Sequence, residues 1–250
     1  MSLAKSLETP ARKIVTHTAM LTVMTDKKFR DSTGRTLEDY PRPSVAVDTA
    51  LLTPDPDEGL LVLEVKRESM SGWRLPGTFL WKGERLADAV RRSLRTKAGV
   101  EGVAPHQLRV FDDPKRDDRG WVLSVAHWAV VRPDRLASRF ETESRLVPVG
   151  SPGRLVYDHR LIIDSAVEHI RSRYEAEPDP DRLLGETFTV LELRKLHEAV
   201  TGEPLDRDMF RREMRDKLIG TGKMSEGTRG RPAELFRRRG RHEPHQRVER

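Results

Sequence analysis

The chain contains no cysteine. Disulfides, thiol nucleophiles and cysteine-ligated zinc are therefore excluded. Long apolar runs are missing too: no stretch approaches the ~18 consecutive apolar residues of a membrane-spanning helix. The partly apolar segment 14–24 is interrupted by Thr16, His17, Thr18 and Thr22. No small-residue cleavage site follows it, so no signal peptide is expected. His17, His127, His159 and His197 lack metal-ligand spacing and are read as structural or surface residues. These absences point to a cytoplasmic protein that neither spans a membrane nor carries a metal or tightly held cofactor. Its 250 residues suffice for one large domain or two modest ones.

Charge is plentiful but unevenly placed. Residues 205–250 hold 14 Lys/Arg against 8 Asp/Glu, and the preceding 204 residues hold 32 of each sign. The whole net charge of +6 thus falls in the last fifth of the chain. On charge alone, a solvated basic face and a polyanion-binding surface are both consistent with this.

Residues 1–42 show no sustained periodicity and are expected to form a flexible extension, closed by Pro41 and Pro43. Strand-like runs at 45–52 and 60–65 flank the turn 53–59. A helix is expected at 86–98, with Leu86, Ala89, Val90 and Leu94 on one face. Strands follow at 108–111 and 121–131 around a charged loop, then a helix at 158–174 with Leu161, Ile162, Ala166, Val167 and Ile170 apolar. The segment 175–180, EAEPDP, breaks that helix. The expected division is an α/β domain over 43–176, a small helical domain over 177–239 and a basic tail over 240–250.

The small domain reads as a DNA-binding module. Thr189 and Glu192 form a capping box for a helix over 191–200 that buries Leu193, Leu196 and Val200 or their neighbours. Gly202 and Pro204 stop it, and Asp206 caps a second helix, giving a helix-turn-helix pattern. On that second helix Phe210, Met214 and Leu218 form a core face, with Arg207, Arg211, Arg212 and Arg215 beside it. A cationic stripe next to a buried one suits a helix in the major groove, where guanidinium groups fork onto guanine or clamp phosphate. Arg229 and Arg231 follow in a Gly-rich turn before a short strand at 234–236, as at the tip of a wing that enters the minor groove.

Between these regions, 75–100 reads LPGTFLWKGERLADAVRRSLRTKAGV. This segment resembles a Nudix box, matching it at Glu84, Arg92, Leu94, Gly99 and Val100. It departs at Thr78, where the pattern has glycine, at Ser93, and at Thr96 and Lys97, where it has a glutamate pair. Mg²⁺ needs carboxylate oxygens, so a site with Glu84 alone and a lysine ammonium would repel it. A Nudix-type α/β/α sandwich with a mixed sheet, lacking hydrolase activity and followed by a winged helix-turn-helix, is the fold expected.

That pairing, together with Tyr157-Asp158-His159, the string LLGETFT at 183–189, LDRDMFRR at 205–212 and RGRPAELF at 229–236, resembles the Nudix-related transcriptional regulators of NAD metabolism. KRDDRG at 115–120 fits as well. The resemblance implies a homodimeric repressor of NAD biosynthesis or salvage genes that binds a double-stranded promoter operator. It also implies ADP-ribose as an effector that weakens DNA binding. Its phosphates would meet Arg67, Arg116 and Arg119, with close backbone approach at the Gly77 turn. Each of these arginines also has a reading as a surface salt-bridge partner. Two other readings stay open: an active Nudix hydrolase with substitute metal ligands among Asp112, Asp113, Asp117 and Asp118, and a protein- or RNA-binding adaptor on an inert Nudix core.

Overall fold

Eight consecutive buried residues, 46–53, mark the central strand of the sheet, because only a strand covered on both faces removes every side chain from water. The computed structural model describes residues 29–67, 70–226 and 232–240. These divide between Arg42 and Pro43 into two units. In the first, Asp39 caps a short 3-10 turn at Thr36, and the Tyr40 hydroxyl donates to Asp31. Residues 1–28 and the tail 241–250 lie outside the described residues.

The second unit carries a seven-stranded mixed sheet. Strand β1 (Ser44–Asp55) turns through Gly59 into β2 (Gly59–Arg67), with the Asp55 carboxylate accepting from the amides of Asp57 and Glu58 at 2.9 Å. Gly59 adopts φ +79°, the left-handed conformation that glycine tolerates best. Strands β3 (Met70–Arg74) and β4 (Gly77–Phe79) pair with β2 and β1, respectively. Strands β5 (His106–Phe111) and β6 (Val122–Val130) continue the sheet beyond β1, and β7 (Ser144–Pro148) adds to β2. Among the described strand pairs, only β1 and β6 run parallel, from Ser44 opposite Val122 to Leu52 opposite Val130.

Alternation along β1 sends its side chains to two cores. Val47 and Leu51 meet Ala89, Val90, Leu94 and Ala98 of helix α1 (Leu86–Ala98). Ala50 and Leu52 meet Ile162, Ile163, Ala166 and Ile170 of helix α2 (His159–Ala176) on the other face. The expected α/β/α sandwich is present. Helix α1 stops at Gly99 (φ +70°), where the amides of Gly99 and Val100 satisfy the carbonyls of Arg95 and Leu94. On α2, Leu161 is exposed and Ile163 is buried, because 159, 162, 163, 166 and 170 share a stripe that excludes 161.

Past Pro178 the chain turns through Asp179 and Arg182, both at positive φ. Asp179 is fully buried. Its carboxylate accepts from the amides of Leu183 (2.8 Å) and Leu184 (2.9 Å) and pairs with the Arg238 guanidinium. Helices α3 (Val190–Thr201) and α4 (Arg207–Met214) follow, then a hairpin of β8 (Leu218–Met224) and β9 (Glu234–Arg238). Phe188, Leu193, Phe210, Met214 and Leu218 form the core of this winged helix. The next turn of α3 faces elsewhere: Leu196 and Val200 belong to the α2 side of the sandwich core. His197 lies between the two, its ring 5.2 Å from that of Tyr174 on α2 and 5.0 Å from that of Phe210 on α4. Helix α4 ends earlier than expected. Residues Arg215–Lys217 tighten into a 3-10 turn, so Arg215 lies off the helix and Leu218 reaches the core from β8.

Two predictions follow from this junction. Removing one partner of a buried ion pair typically costs about 3–5 kcal/mol. Asp179→Ala should therefore lose about 3 kcal/mol or more in urea unfolding, whereas a loss below ~1 kcal/mol would show that the pair does not hold the junction. The second prediction concerns acid. Burial pushes the His197 imidazole down to about 4 from its ordinary 6.5. Between those values the unfolded chain binds a proton that the folded chain refuses, so stability falls as pH drops from 6.5 to 4. His197→Leu should gain roughly 3 kcal/mol relative to wild type across that window. A stability difference independent of pH would contradict the assignment.

Candidate functional site: an ion-paired cleft and an arginine face

The β1–β4 pairing, the end of β3, the loop before β6 and the start of α2 enclose a cleft of about 220 Å³. Its floor is Asp48, the one carboxylate in the buried stretch 46–53 of β1. Ser124 donates to it at 2.6 Å, Arg116 approaches to 3.6 Å and His159 Nε2 to 3.5 Å. The Leu75 amide donates to His159 Nδ1 at 2.9 Å, which puts the ring proton on Nε2, facing Asp48. Burial alone would raise the Asp48 carboxyl; His159, Ser124 and Arg116 together hold it well below the ordinary carboxylate range. Gly77 packs directly on this group. A Cβ there would fall 1.9 Å from Asp48 Oδ1, so glycine is required by close approach rather than by backbone angle.

The expected ligand contacts have distinct fates. Arg116 is buried and gives a two-pronged pair to Asp158 at 2.6 and 2.9 Å. Arg119 lies at the cleft wall, paired with Asp117 at 2.6 Å and flanked by the rings of Phe79 (5.0 Å) and Tyr157 (4.9 Å). Both arginines thus line the cleft and make salt bridges at once. Arg67 ends β2, and its side chain lies outside the described residues. The cleft also contains residues that sequence reasoning passed over as ligand contacts: Asp48, Arg74, Tyr157 and His159. For His159, read as structural or surface, the nearest signal was its place in Tyr157-Asp158-His159. A charged residue in the middle of a buried strand was the signal at Asp48.

The Nudix-like segment is built around Arg92. Its guanidinium gives two 2.8 Å hydrogen bonds to Glu84, reaches the Phe79 carbonyl (2.9 Å) and Thr78 hydroxyl (3.1 Å), and stacks 3.7 Å from the Trp81 ring. Glu84 also accepts from the Trp81 amide, and Arg92 foremost pulls its carboxyl down to about 2. On α1, Ser93 is buried and Thr96 donates to the Arg92 carbonyl at 2.8 Å. Lys97 donates to the Gly77 carbonyl. Mg²⁺ demands several hard oxygens in near-octahedral array. Here the one acid of the box is locked to a guanidinium and an ammonium lines the cleft, so these residues do not fit the metal. Of the substitute acids, only Asp117 lines the cleft; Asp112, Asp113 and Asp118 are exposed. Among the described residues, no three His, Asp or Glu side chains converge as a metal site.

The second candidate surface lies on α4. Thr189 accepts from the Glu192 amide and Glu192 reaches back to Thr189, completing the capping box of α3. Asp206 caps α4 through the amides of Asp208 (3.1 Å) and Met209 (2.8 Å). Between the helices, Glu198 accepts from Arg194 (2.6 Å) and the Leu205 amide (2.9 Å), fixing the turn. Phe210 and Met214 face inward, so Arg207, Arg211 and Arg212 are exposed, with Arg215 exposed just beyond. Among the described residues these four guanidinium groups have no ion-pair partner, unlike Arg116 and Arg119. Ser225 and Ala233 close the β8–β9 hairpin, and the tip bearing Arg229 and Arg231 lies outside the described residues.

Comparison with known proteins bears on both surfaces. Residues 181–238 match the family model of the NrtR DNA-binding winged helix domain. The ADPR responsive transcriptional repressor NtrR of Acinetobacter baylyi is 27% identical over 209 residues, covering 80% of this chain and 83% of that protein. An ADP-ribose pyrophosphatase of Methanocaldococcus jannaschii is 29% identical over 126 residues, 50% of this chain and 73% of that enzyme. The crystal structure of Shewanella oneidensis NrtR complexed with a 27mer DNA superposes with a TM-score of 0.64 at 30% identity, covering 78% of this chain and 93% of that one. A sandwich with an eroded Nudix box, joined to a winged helix and matched over nearly the whole of that structure, places the chain in the NrtR family of Nudix-related transcriptional regulators.

Proposed function

We propose that the chain is a transcriptional repressor of NAD biosynthesis or salvage genes that binds operator DNA as a homodimer and releases it when ADP-ribose enters the cleft. The observation that carries this reading is the contrast in charge pairing. The arginines of α4 are exposed and unpartnered among the described residues, as polyanion contacts need to be. The sandwich, meanwhile, keeps a cleft in which, among the described residues, no three His, Asp or Glu side chains converge to hold a metal for hydrolysis. In this reading 43–176 is the sensor and 177–239 the DNA-binding part. Arg207, Arg211, Arg212, Arg215, Arg229 and Arg231 contact DNA, and Arg119 and the Gly77 turn meet the effector's phosphates. Arg116 shapes the floor from beneath, and Arg67 completes the proposed effector set. The protein acts in the cytoplasm, in line with the absence of any long apolar helix among the described residues.

An effector that prefers the arrangement unable to bind DNA must weaken DNA binding by the same factor by which DNA weakens effector binding. Fluorescence anisotropy on an operator duplex at ~150 mM salt, against excess non-specific competitor, tests the reading. Selective binding reversed by ADP-ribose is expected; equal binding to operator and scrambled duplexes would overturn it.

Arg211→Ala and Arg212→Ala should each cost about 1–3 kcal/mol on operator DNA and relax base preference. Loss of a phosphate contact would instead weaken all sequences alike and reduce the salt slope by about one. Full binding by the double variant would displace the recognition surface from α4. The hydrolase reading draws on the pyrophosphatase relative. Incubation with ADP-ribose and Mg²⁺ should release no AMP, by chromatography of the nucleotide products, and sustained release would restore catalysis to the account.

A further inference from the structure

Among the described residues, the cleft has the charges of an anion site without those of a metal site. Arg74, Lys97, Arg116 and Arg119 line it, against the carboxylates of Asp48 and Asp117. Both carboxylates are already engaged, Asp48 by Ser124, His159 and Arg116 and Asp117 by Arg119. Glu84, the one acid kept from the box, is neutralised by Arg92. A divalent cation entering here would meet committed acids and an ammonium. Lys97 comes from the last turn of α1, where the helix dipole favours a cation, and its bond to the Gly77 carbonyl holds the ammonium against the turn that forms the cleft wall. Arg119 is held in the same cavity by Asp117 and two aromatic rings, so it is ordered before any ligand arrives.

We infer that this cleft binds a diphosphate-bearing ligand without a divalent metal, the Lys97 ammonium, with Arg119 and Arg74 beside it, supplying the charge that Mg²⁺ would bring. The inference rests on the ADP-ribose reading above and deepens it. A sensor whose cation is part of the chain reports the ligand regardless of free magnesium. It also leaves no metal-bound water to cleave that ligand, so the loss of glutamates and the gain of Lys97 serve one change.

Isothermal titration of the full chain with ADP-ribose, once in EDTA and once in millimolar Mg²⁺, tests this. Affinities within about twofold of each other are expected, since the metal contributes no contact. Lys97→Gln should weaken binding roughly tenfold or more in EDTA, and Lys97→Arg should retain most of it, because a charge-assisted hydrogen bond is lost only in the first. Binding that appears only with Mg²⁺ would overturn the inference and leave the ADP-ribose reading standing. Wild-type affinity in Lys97→Gln, or equal loss in both variants, would also overturn it by removing charge as the cause. No binding in either buffer would remove the ADP-ribose reading itself, and this inference with it.

Discussion

Helix α3 belongs to two hydrophobic cores at once, and the rest of the architecture depends on that sharing. Leu193 packs with Phe188, Phe210 and Met214 of the winged helix, while Leu196 and Val200 fill the core between the sheet and α2. His197 joins the two through ring contacts to Tyr174 and Phe210. Packed interiors transmit displacement because they have no slack. A helix shared in this way cannot shift on the sheet without carrying the turn to α4, which Glu198 fixes through Arg194 and the Leu205 amide. The Asp179–Arg238 pair closes the same junction from the other side, tying the connecting segment to β9 of the hairpin. This is a physical route by which a ligand on the sheet could bias an arginine face on α4.

The cleft follows a different logic, one of charges balanced in place. Asp48 lies in a strand that otherwise contributes only apolar or hydroxyl side chains to its buried stretch, and its carboxylate survives there because His159, Ser124 and Arg116 surround it. Arg116 in turn is anchored by Asp158 just before α2. The entry of α2, the loop before β6 and the centre of β1 therefore meet at one ionic knot beneath the ligand space. In the Nudix-like segment Arg92 plays the same organising part, drawing Glu84, Thr78 and the Phe79 carbonyl into one network that positions the Gly77 turn. Glu84, the acid this segment shares with the Nudix box, is here paired with Arg92 and helps to fix the loop.

Local chemistry made much of this legible in advance. The span of α1, the capping box at Thr189 and the Asp206 cap of α4 depend on residues a few positions apart, and each was readable from the sequence. What escaped depends on contacts between distant segments. Nothing local to Asp48 or His159 announces that they face each other. A stripe recurring every four residues from Phe210 to Leu218 cannot reveal that the helix yields to a 3-10 turn after Met214, because Leu218 reaches the same core either way. Nor does the pattern of α3 disclose that its two apolar faces serve different cores. The arginines divided on the same ground: those of α4 were legible as a face, whereas the engagement of Arg116 with Asp158 required the fold.

The central claim is an energetic coupling between the cleft and the arginine face, and one comparison tests it most directly. ADP-ribose affinity should be measured for the free protein and again for the protein saturated with operator DNA. The account predicts weaker ADP-ribose binding in the complex, by a factor on the order of 5–150, equal to the factor by which ADP-ribose weakens DNA binding. Identical ADP-ribose affinity in the two states would mean that the surfaces are independent, and would contradict the account.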